Sequence, residues 1–378
     1  MVTAAGLIFS NIHDRNVPEL TGKRSMASVP FGGRYRLVDF ALSNMVNADI
    51  TKVGIITHYN YQSLVDHLGT GKDWDLARST GGLKILPPQI TTFDNVGTRT
   101  VFSSRLDALM NAYNFVSKST EEYIVLSDCD IVCNIDLRDV ISAHVDSGAD
   151  ITIVTKNVYM SSDMAKNCTI VESDDKGRVT NLIDNPVSME GNLDVCLNIF
   201  VLKREYLNSI IIDTLSRGYK SFTKDIIAAN KDTMKFMKYE YEGYFATINT
   251  LDGYFKSSMD FLSKDVRDCI FGVKTRPVYT KVKNSAPAKY MGDAKVKNSL
   301  IADGCVIEGE VENSILFRGV HVGKGTVIKN CIIMQDSTVG RDVNLNCVIA
   351  DKNVVIKDGR NLSGHETHPF PIAKGTTI

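Results

Sequence analysis

The residues best suited to chemistry cluster near the start of the chain. Lys23 and Arg24 precede a Val-Pro-Phe-Gly-Gly run, and Arg34 and Arg36 follow it. Several cations converging from one loop can hold a phosphate. The same residues on a solvated face would only keep the surface polar. Other reactive types are scattered. Cys129 and Cys133 have no second cysteine pair or histidine cluster at zinc-finger spacing. His13, His58, His67, His144, His321, His365 and His368 show no metal-ligand spacing. His365-x-x-His368 sits between Gly364 and Pro369 and reads as a loop. Trp74, the single tryptophan, reads as a packing anchor, and Lys220 and Lys224 around Phe222 as residues at a helix start.

Short apolar strands must position this chemistry. Val2–Phe9, Val53–Thr57, Tyr123–Ser127, Ile151–Thr155 and Leu197–Leu202 are too short for helices and rich in β-branched residues. Amphipathic stretches alternate with them, at Tyr61–Leu68, Leu137–Ser147, Glu205–Leu215 and Leu251–Leu262. The alternation predicts an α/β domain over residues 1–262 with a mostly parallel sheet. Ligands on such sheets bind at the carboxyl ends of strands, near a switch in strand order. Residues 263–289, with Pro277, Pro287 and Lys281-Val282-Lys283, read as an ordered linker. Over residues 290–378 the helical period disappears. Val322, Ile328 and Met334 are six apart, as are Ile301 and Ile307, and Val339 and Leu345. An aliphatic residue at every sixth position is the hexapeptide signature of a parallel β-helix. Three to four coils are expected, docked on the first domain or on another subunit because end coils need capping.

Composition narrows the classes. The 378 residues include 43 Lys plus Arg and 44 Asp plus Glu, a net charge of −1. That balance argues against a nucleic-acid binder. A hydrophobic content of 43% is enough for a sizeable core in two to three domains. The eight scattered cysteines read as reduced thiols. The first residues carry no basic leader pattern, and no apolar run reaches the length of a membrane span. The expected location is the cytoplasm, with no membrane partner.

Three stretches point to one family: Val29-Pro30-Phe31-Gly32-Gly33-Arg34-Tyr35-Arg36-Leu37-Val38-Asp39-Phe40-Ala41-Leu42-Ser43-Asn44; Trp74-Asp75-Leu76-Ala77-Arg78 with Gly81-Gly82 and Leu86-Pro87-Pro88; and the hexapeptide repeat behind an α/β domain. Together they resemble the glucose-1-phosphate adenylyltransferase (ADP-glucose pyrophosphorylase) family over nearly the whole chain. The resemblance implies a nucleotidyltransferase-like Rossmann-type domain followed by a left-handed parallel β-helix. It also implies a reaction of ATP with glucose 1-phosphate to give ADP-glucose and pyrophosphate. In that reaction glycines let backbone N–H groups approach the phosphates. Arginine and lysine neutralise the attacked phosphorus, and two aspartates hold Mg²⁺.

Against that pattern the chain has lost its apparatus. The loop after the first strand reads Ser10-Asn11-Ile12-His13-Asp14-Arg15-Asn16-Val17, with no glycine, and Arg15 falls one position from the family arginine. Met26-Ala27 stands where the family has Lys-Pro. Cys129 falls on the first metal aspartate, flanked by Asp128 and Asp130, and Thr247 falls on the second. In the sugar-phosphate pocket Asp184-Asn185 replaces a Glu-Lys pair, and Asp194 replaces a serine, placing an acid near a phosphate. By resemblance, Lys23, Arg24 and Arg36 match positions that contact anionic, phosphorylated effectors between the domains. The expectation is therefore a regulatory, catalytically impaired subunit. It would assemble with a catalytic subunit of the same fold, as a hetero-tetramer, with Mg²⁺ only if active. An alternative is an active enzyme with a rebuilt site using Asp128, Asp130 and Arg15. A partnerless sugar-nucleotide sensor and a hexapeptide acyltransferase relying on His321 are further readings.

Overall fold

The computed structural model describes residues 2–88 and 104–378. Its first strand, Ala4–Phe9, lies at the centre of a nine-stranded sheet. Lys52–Ile56 and Tyr123–Asp128 flank it, both parallel, and Gly82–Leu86 continues the parallel run beyond Lys52–Ile56. On the other side Gly191–Lys203 joins Tyr123–Asp128 in antiparallel fashion and carries the remaining strands, Ile151–Met160, Thr169–Ser173 and Val179–Asp184. Phe236–Glu240 runs parallel to Ile151–Met160 at that edge. The order reverses between the first strand and Tyr123–Asp128, so their carboxyl ends open the crevice where ligands of such sheets bind.

The strands are apolar on both faces because helices cover both. Ile8, Val53, Ile55 and Val125 face Leu37–Asn47 and Leu137–Ser147, through residues such as Val38, Leu42 and Val140. Leu7, Phe9 and Leu126 face the opposite layer, where Leu106 and Leu109 of Arg105–Asn111 and Leu207 and Ile210 of Arg204–Arg217 pack. Each expected strand is present: the first is shortened to Ala4–Phe9, and the others are extended or shifted by a residue or more. The strand expected at Leu197–Leu202 begins at Gly191. Its register breaks between Cys196 and Phe200, with Asn198 at φ 53°, so only the second half reads as a continuous apolar run.

The C-terminal part is a left-handed parallel β-helix of three five-stranded sheets. Five turns of strand stack where three to four coils are expected from the sequence. The stacked partners are 15 or 17 residues apart in most turns, as in Val306↔His321 and Val322↔Val339, and 22 apart at Val348↔Phe370, and that unequal spacing hides coils from a strict six-residue count. The stack buries aliphatic columns. Ile307, Val322, Val339 and Ile356 form one, and Val311, Ile328 and Leu345 another, each at most 1% exposed.

The two parts share a core. Phe31, Phe40, Phe261 and Tyr254 of the α/β domain pack with Ile315, Phe317, Ile332 and Met334 of the β-helix. Phe31 meets Phe261 edge to face at 4.9 Å. The Phe-Gly-Gly turn makes this docking possible. Gly32 and Gly33, at φ 58° and 83°, reverse the chain between Pro30–Phe31 and Tyr35–Arg36. Beyond Phe271 the chain stays bound to the first domain. Asn134 Nδ2 donates to Arg276 O, Asn47 Nδ2 to Pro277 O, and Tyr279 N–H to Ser43 Oγ. No described helix is long and apolar enough to cross a membrane.

Ile328 tests the stacked core most simply. Ile328→Ala leaves a cavity in a fully buried column and is expected to cost about 2–5 kcal/mol, read as a fall in the urea midpoint with unchanged slope.

Candidate functional site

The crevice begins at the turn after the first strand. Asp14 is buried there. Its Oδ1 accepts the Met26 N–H at 2.6 Å and its Oδ2 accepts Asn11 Nδ2 at 2.7 Å. Burial outweighs those hydrogen bonds and pushes the Asp14 carboxyl up to about 7. A phosphate loop leaves its N–H groups free for a ligand; here the Met26 N–H is capped from within the chain.

The same turn aims His13 across the switch point at the end of Tyr123–Asp128. His13 Nε2 lies 2.8 Å from Asp128 Oδ2 and 3.7 Å from Asp130 Oδ2. Arg105, at the start of its helix, donates from Nη2 to the same Asp128 Oδ2 at 2.6 Å and to Asn198 Oδ1 at 3.2 Å. Its guanidinium sits among the rings of Phe200, Phe9 and Phe222, at 5.0, 5.6 and 5.8 Å. Two cations thus face two carboxylates that are at most 2% exposed. Burial pulls the imidazole down, but the charges of Asp130 and Asp128 outweigh it and push His13 up to about 9. Burial works to raise Asp128, yet Arg105 and His13 hold it below the usual carboxylate range. Burial lifts Asp130 to about 6, with His13 opposing.

The cavity over this knot holds about 510 Å³. Asp130, Asp184, Asn185 and Thr247 line it together with His13 and Arg105. Asp184 accepts from Thr169 Oγ1 at 2.8 Å and from Thr223 Oγ1. Arg105 Nε, Asp128 Oδ1, Asp130 Oδ1 and Thr247 Oγ1 are buried with no hydrogen-bond partner among the described residues.

Several residues stand elsewhere than the sequence pattern places them. Cys129 does not take the ligand position: its side chain joins the hydrophobic core, 2% exposed, while Asp128 and Asp130 face His13. Burial drives its thiol far above the ordinary range. Asp194 is not among the residues that line the cavity; it pairs with Lys238 Nζ at 2.6 Å. Arg15 is exposed and likewise not among them, and Met26 is buried in the interdomain core. Arg105 carries no mark in the sequence, and His13 shows no ligand spacing because Asp128 lies 115 residues away. Lys220, read as a helix-start residue, lines the cavity.

A second charged cluster sits between the domains. Arg24 is 1% exposed and donates from Nη2 to Asp351 Oδ1 and Oδ2 at 2.8 and 2.7 Å. Its Nη1 is buried without a partner among the described residues. Arg36 donates from Nη1 to Ser63 O at 2.5 Å, and exposed Lys23 reaches Lys374 O at 3.2 Å. Lys352, which the sequence did not single out, is pushed down to about 6 by burial, with Arg36 and Arg24 adding to the shift. All three predicted cations are hydrogen-bonded to the protein, and Lys23 alone of them is exposed.

His13, Asp128 and Asp130 bring potential ligand atoms within 4.8 Å of one another. Mg²⁺, the ion implied by the resemblance, prefers carboxylate and water oxygens in an octahedron. The residues present do not fit it. Asp128 Oδ2 is held by an imidazole and a guanidinium, the charge is already balanced, and the second acid position is Thr247.

The fold and this crevice define a nucleotidyltransferase-type protein. Residues 16–264 match the nucleotidyl transferase family, and residues 286–368 the GlmU-like C-terminal hexapeptide family. The chain belongs to the nucleotidyl transferase family, in the group that holds glycogen biosynthesis proteins and glucose-1-phosphate adenylyltransferases. It is 37% identical over 372 residues to the glycogen biosynthesis protein GlgD of Bacillus subtilis, spanning 98% of this chain and 95% of the relative. The protein of that name from Geobacillus stearothermophilus is 37% identical over 374 residues, covering 98% and 96%. The glucose-1-phosphate adenylyltransferase of Fervidobacterium nodosum is 31% identical over 368 residues, covering 97% and 87%.

Two pH dependences follow. His13 is raised from 6.5 to about 9, so its contribution to stability is full below pH 6.5 and is lost as pH rises through 9. The stability gap between the wild type and His13→Gln is therefore expected to be widest near pH 6.5 and to shrink toward pH 9, read by denaturant unfolding at each pH. Lys352 is lowered from 10.5 to about 6, so its penalty is absent above pH 10.5 and grows as pH falls toward 6. Lys352→Met is expected to stabilise the protein at pH 7 and to change little near pH 10.5; the reverse order would contradict the assignment.

Proposed function

We propose that this chain is the regulatory, catalytically impaired subunit of a bacterial glucose-1-phosphate adenylyltransferase that serves glycogen biosynthesis. It acts in the cytoplasm by assembling with a catalytic subunit of the same fold, in a hetero-tetramer. The observation that carries this reading is the knot at the switch point. His13 and Arg105 neutralise Asp128 and Asp130 from inside the protein, where phosphoryl transfer needs a metal clamp and cations free to meet phosphate. The names of the two GlgD relatives support the pathway.

A subunit without chemistry of its own can still act through its interface. It need only favour the partner's active conformation, and about 1–3 kcal/mol of coupling changes affinity roughly 5–150-fold. The interdomain cluster of Lys23, Arg24, Arg36 and Lys352 supports a phosphorylated effector: it joins both domains, and its lysine regains its proton when an anion arrives. The alternative of an active enzyme finds one favourable feature, the carboxylate of Asp130 on the cavity wall. Arg15, its phosphate cation, is exposed and not among the lining residues.

The isolated chain is expected to release no pyrophosphate from ATP, glucose 1-phosphate and Mg²⁺. Co-expressed with a catalytic partner, it is expected to co-purify and to shift that partner's kcat or effector response. Failure to co-purify together with unchanged partner kinetics would defeat the proposal.

A further inference from the structure

Three buried polar atoms of the crevice have no hydrogen-bond partner among the described residues and belong to residues that line the same cavity: Arg105 Nε, Asp130 Oδ1 and Thr247 Oγ1. Asp130 as a whole is 2% exposed. Buried polar groups left unpaired are costly, so an empty set of this kind points to something that completes it. The three ask for different things. The guanidinium N–H can only donate, the carboxylate accepts, and the threonine does both. A hydroxyl supplies donor and acceptor from one group, and adjacent hydroxyls supply several. Ile12, Val195 and Phe222 on the wall offer an apolar surface to the C–H face of a ring.

The same wall is hostile to a phosphate. Of its cations, His13 and Arg105 already face Asp128. Lys220 is exposed at the surface. The carboxylates of Asp130 and Asp184 look into the space a dianion would fill. The backbone N–H of Met26, a donor of the kind phosphate loops use, is taken by Asp14. A cavity of about 510 Å³ lies within the range of small-ligand sites, roughly 300–1,000 Å³.

We propose that the crevice binds an uncharged polyhydroxyl ligand, a hexose or a nucleoside, through Arg105, Asp130 and Thr247, without a metal ion and without a phosphate group. This rests on the reading that the pocket has given up phosphoryl transfer, and it adds the class of ligand that replaces the substrates.

The test is a calorimetric titration of the purified full chain with glucose, maltose and adenosine, each beside glucose 1-phosphate and ATP, in Mg²⁺ and again in EDTA. At least one uncharged ligand is expected to bind no more weakly than its phosphate ester, with the same Kd in Mg²⁺ and in EDTA. A response to glucose or maltose identifies a hexose site, and a response to adenosine a nucleoside site. Thr247→Val is expected to weaken that binding about tenfold, equivalent to about 1.4 kcal/mol, with little change in Tm. Asp130→Asn, which keeps the shape of the side chain, serves as the second variant. Two results overturn the proposal: a phosphate ester that binds tenfold or more tightly than its uncharged counterpart, or no binding of any uncharged ligand at about 10 mM. The second would leave the regulatory reading standing. Steady pyrophosphate release by the isolated chain would remove the regulatory reading as well.

Discussion

Everything distinctive about this molecule turns on the charge balance at the carboxyl ends of two neighbouring strands. Asp128 and Asp130 are buried side by side at the switch point of the sheet. Two buried carboxylates cannot both remain ionised without compensation, because desolvation and mutual repulsion both oppose it. An imidazole from the first loop and a guanidinium from the start of Arg105–Asn111 supply it. Arg105 is held in place by three aromatic rings, so its position comes from packing as well as charge. A fold whose relatives include glucose-1-phosphate adenylyltransferases thereby keeps its acids paired with cations of its own.

The long motif that marks the family turns out to be architectural. Phe31 and the two glycines after it build a hairpin that wedges the α/β domain against the β-helix. Asp39, in the same motif, accepts the Arg36 N–H at 3.0 Å and pairs with His67 at 2.6 Å, fixing the start of Leu37–Asn47. Arg24 crosses to Asp351 from a neighbouring turn. Breaking one partner of a buried pair of this kind leaves an uncompensated charge, which makes the two domains interdependent. An anion reaching Arg24 and Lys352 would act on that contact directly, which is how a small ligand at a seam can bias a whole assembly.

Much of this was legible in the sequence, and the illegible parts have physical reasons. Strand positions followed from short apolar runs rich in β-branched residues, and the repeat from a period-six pattern, since both are set by local geometry. The coil number was underestimated because corners of unequal length break the strict period. The losses at the first loop and at Thr247 were visible as missing residue types. The gains were not visible. Arg105 and His13 meet Asp128 only through the sheet order, and an ordinary arginine in a helix carries no mark of its partner. An ungapped reading also placed Cys129 on the metal-aspartate position, whereas the thiol packs into the core and its two buried acidic neighbours face His13.

The crevice carries its own cations where a metal ion would otherwise sit. Titrating Mn²⁺ into the purified chain, with free Mn²⁺ followed by electron paramagnetic resonance, tests it directly. The wild-type protein is expected to leave Mn²⁺ free at millimolar concentration, and His13→Gln, by unmasking the carboxylates, to create a binding site. Tight stoichiometric binding by the wild type, lost in Asp130→Asn, would contradict it.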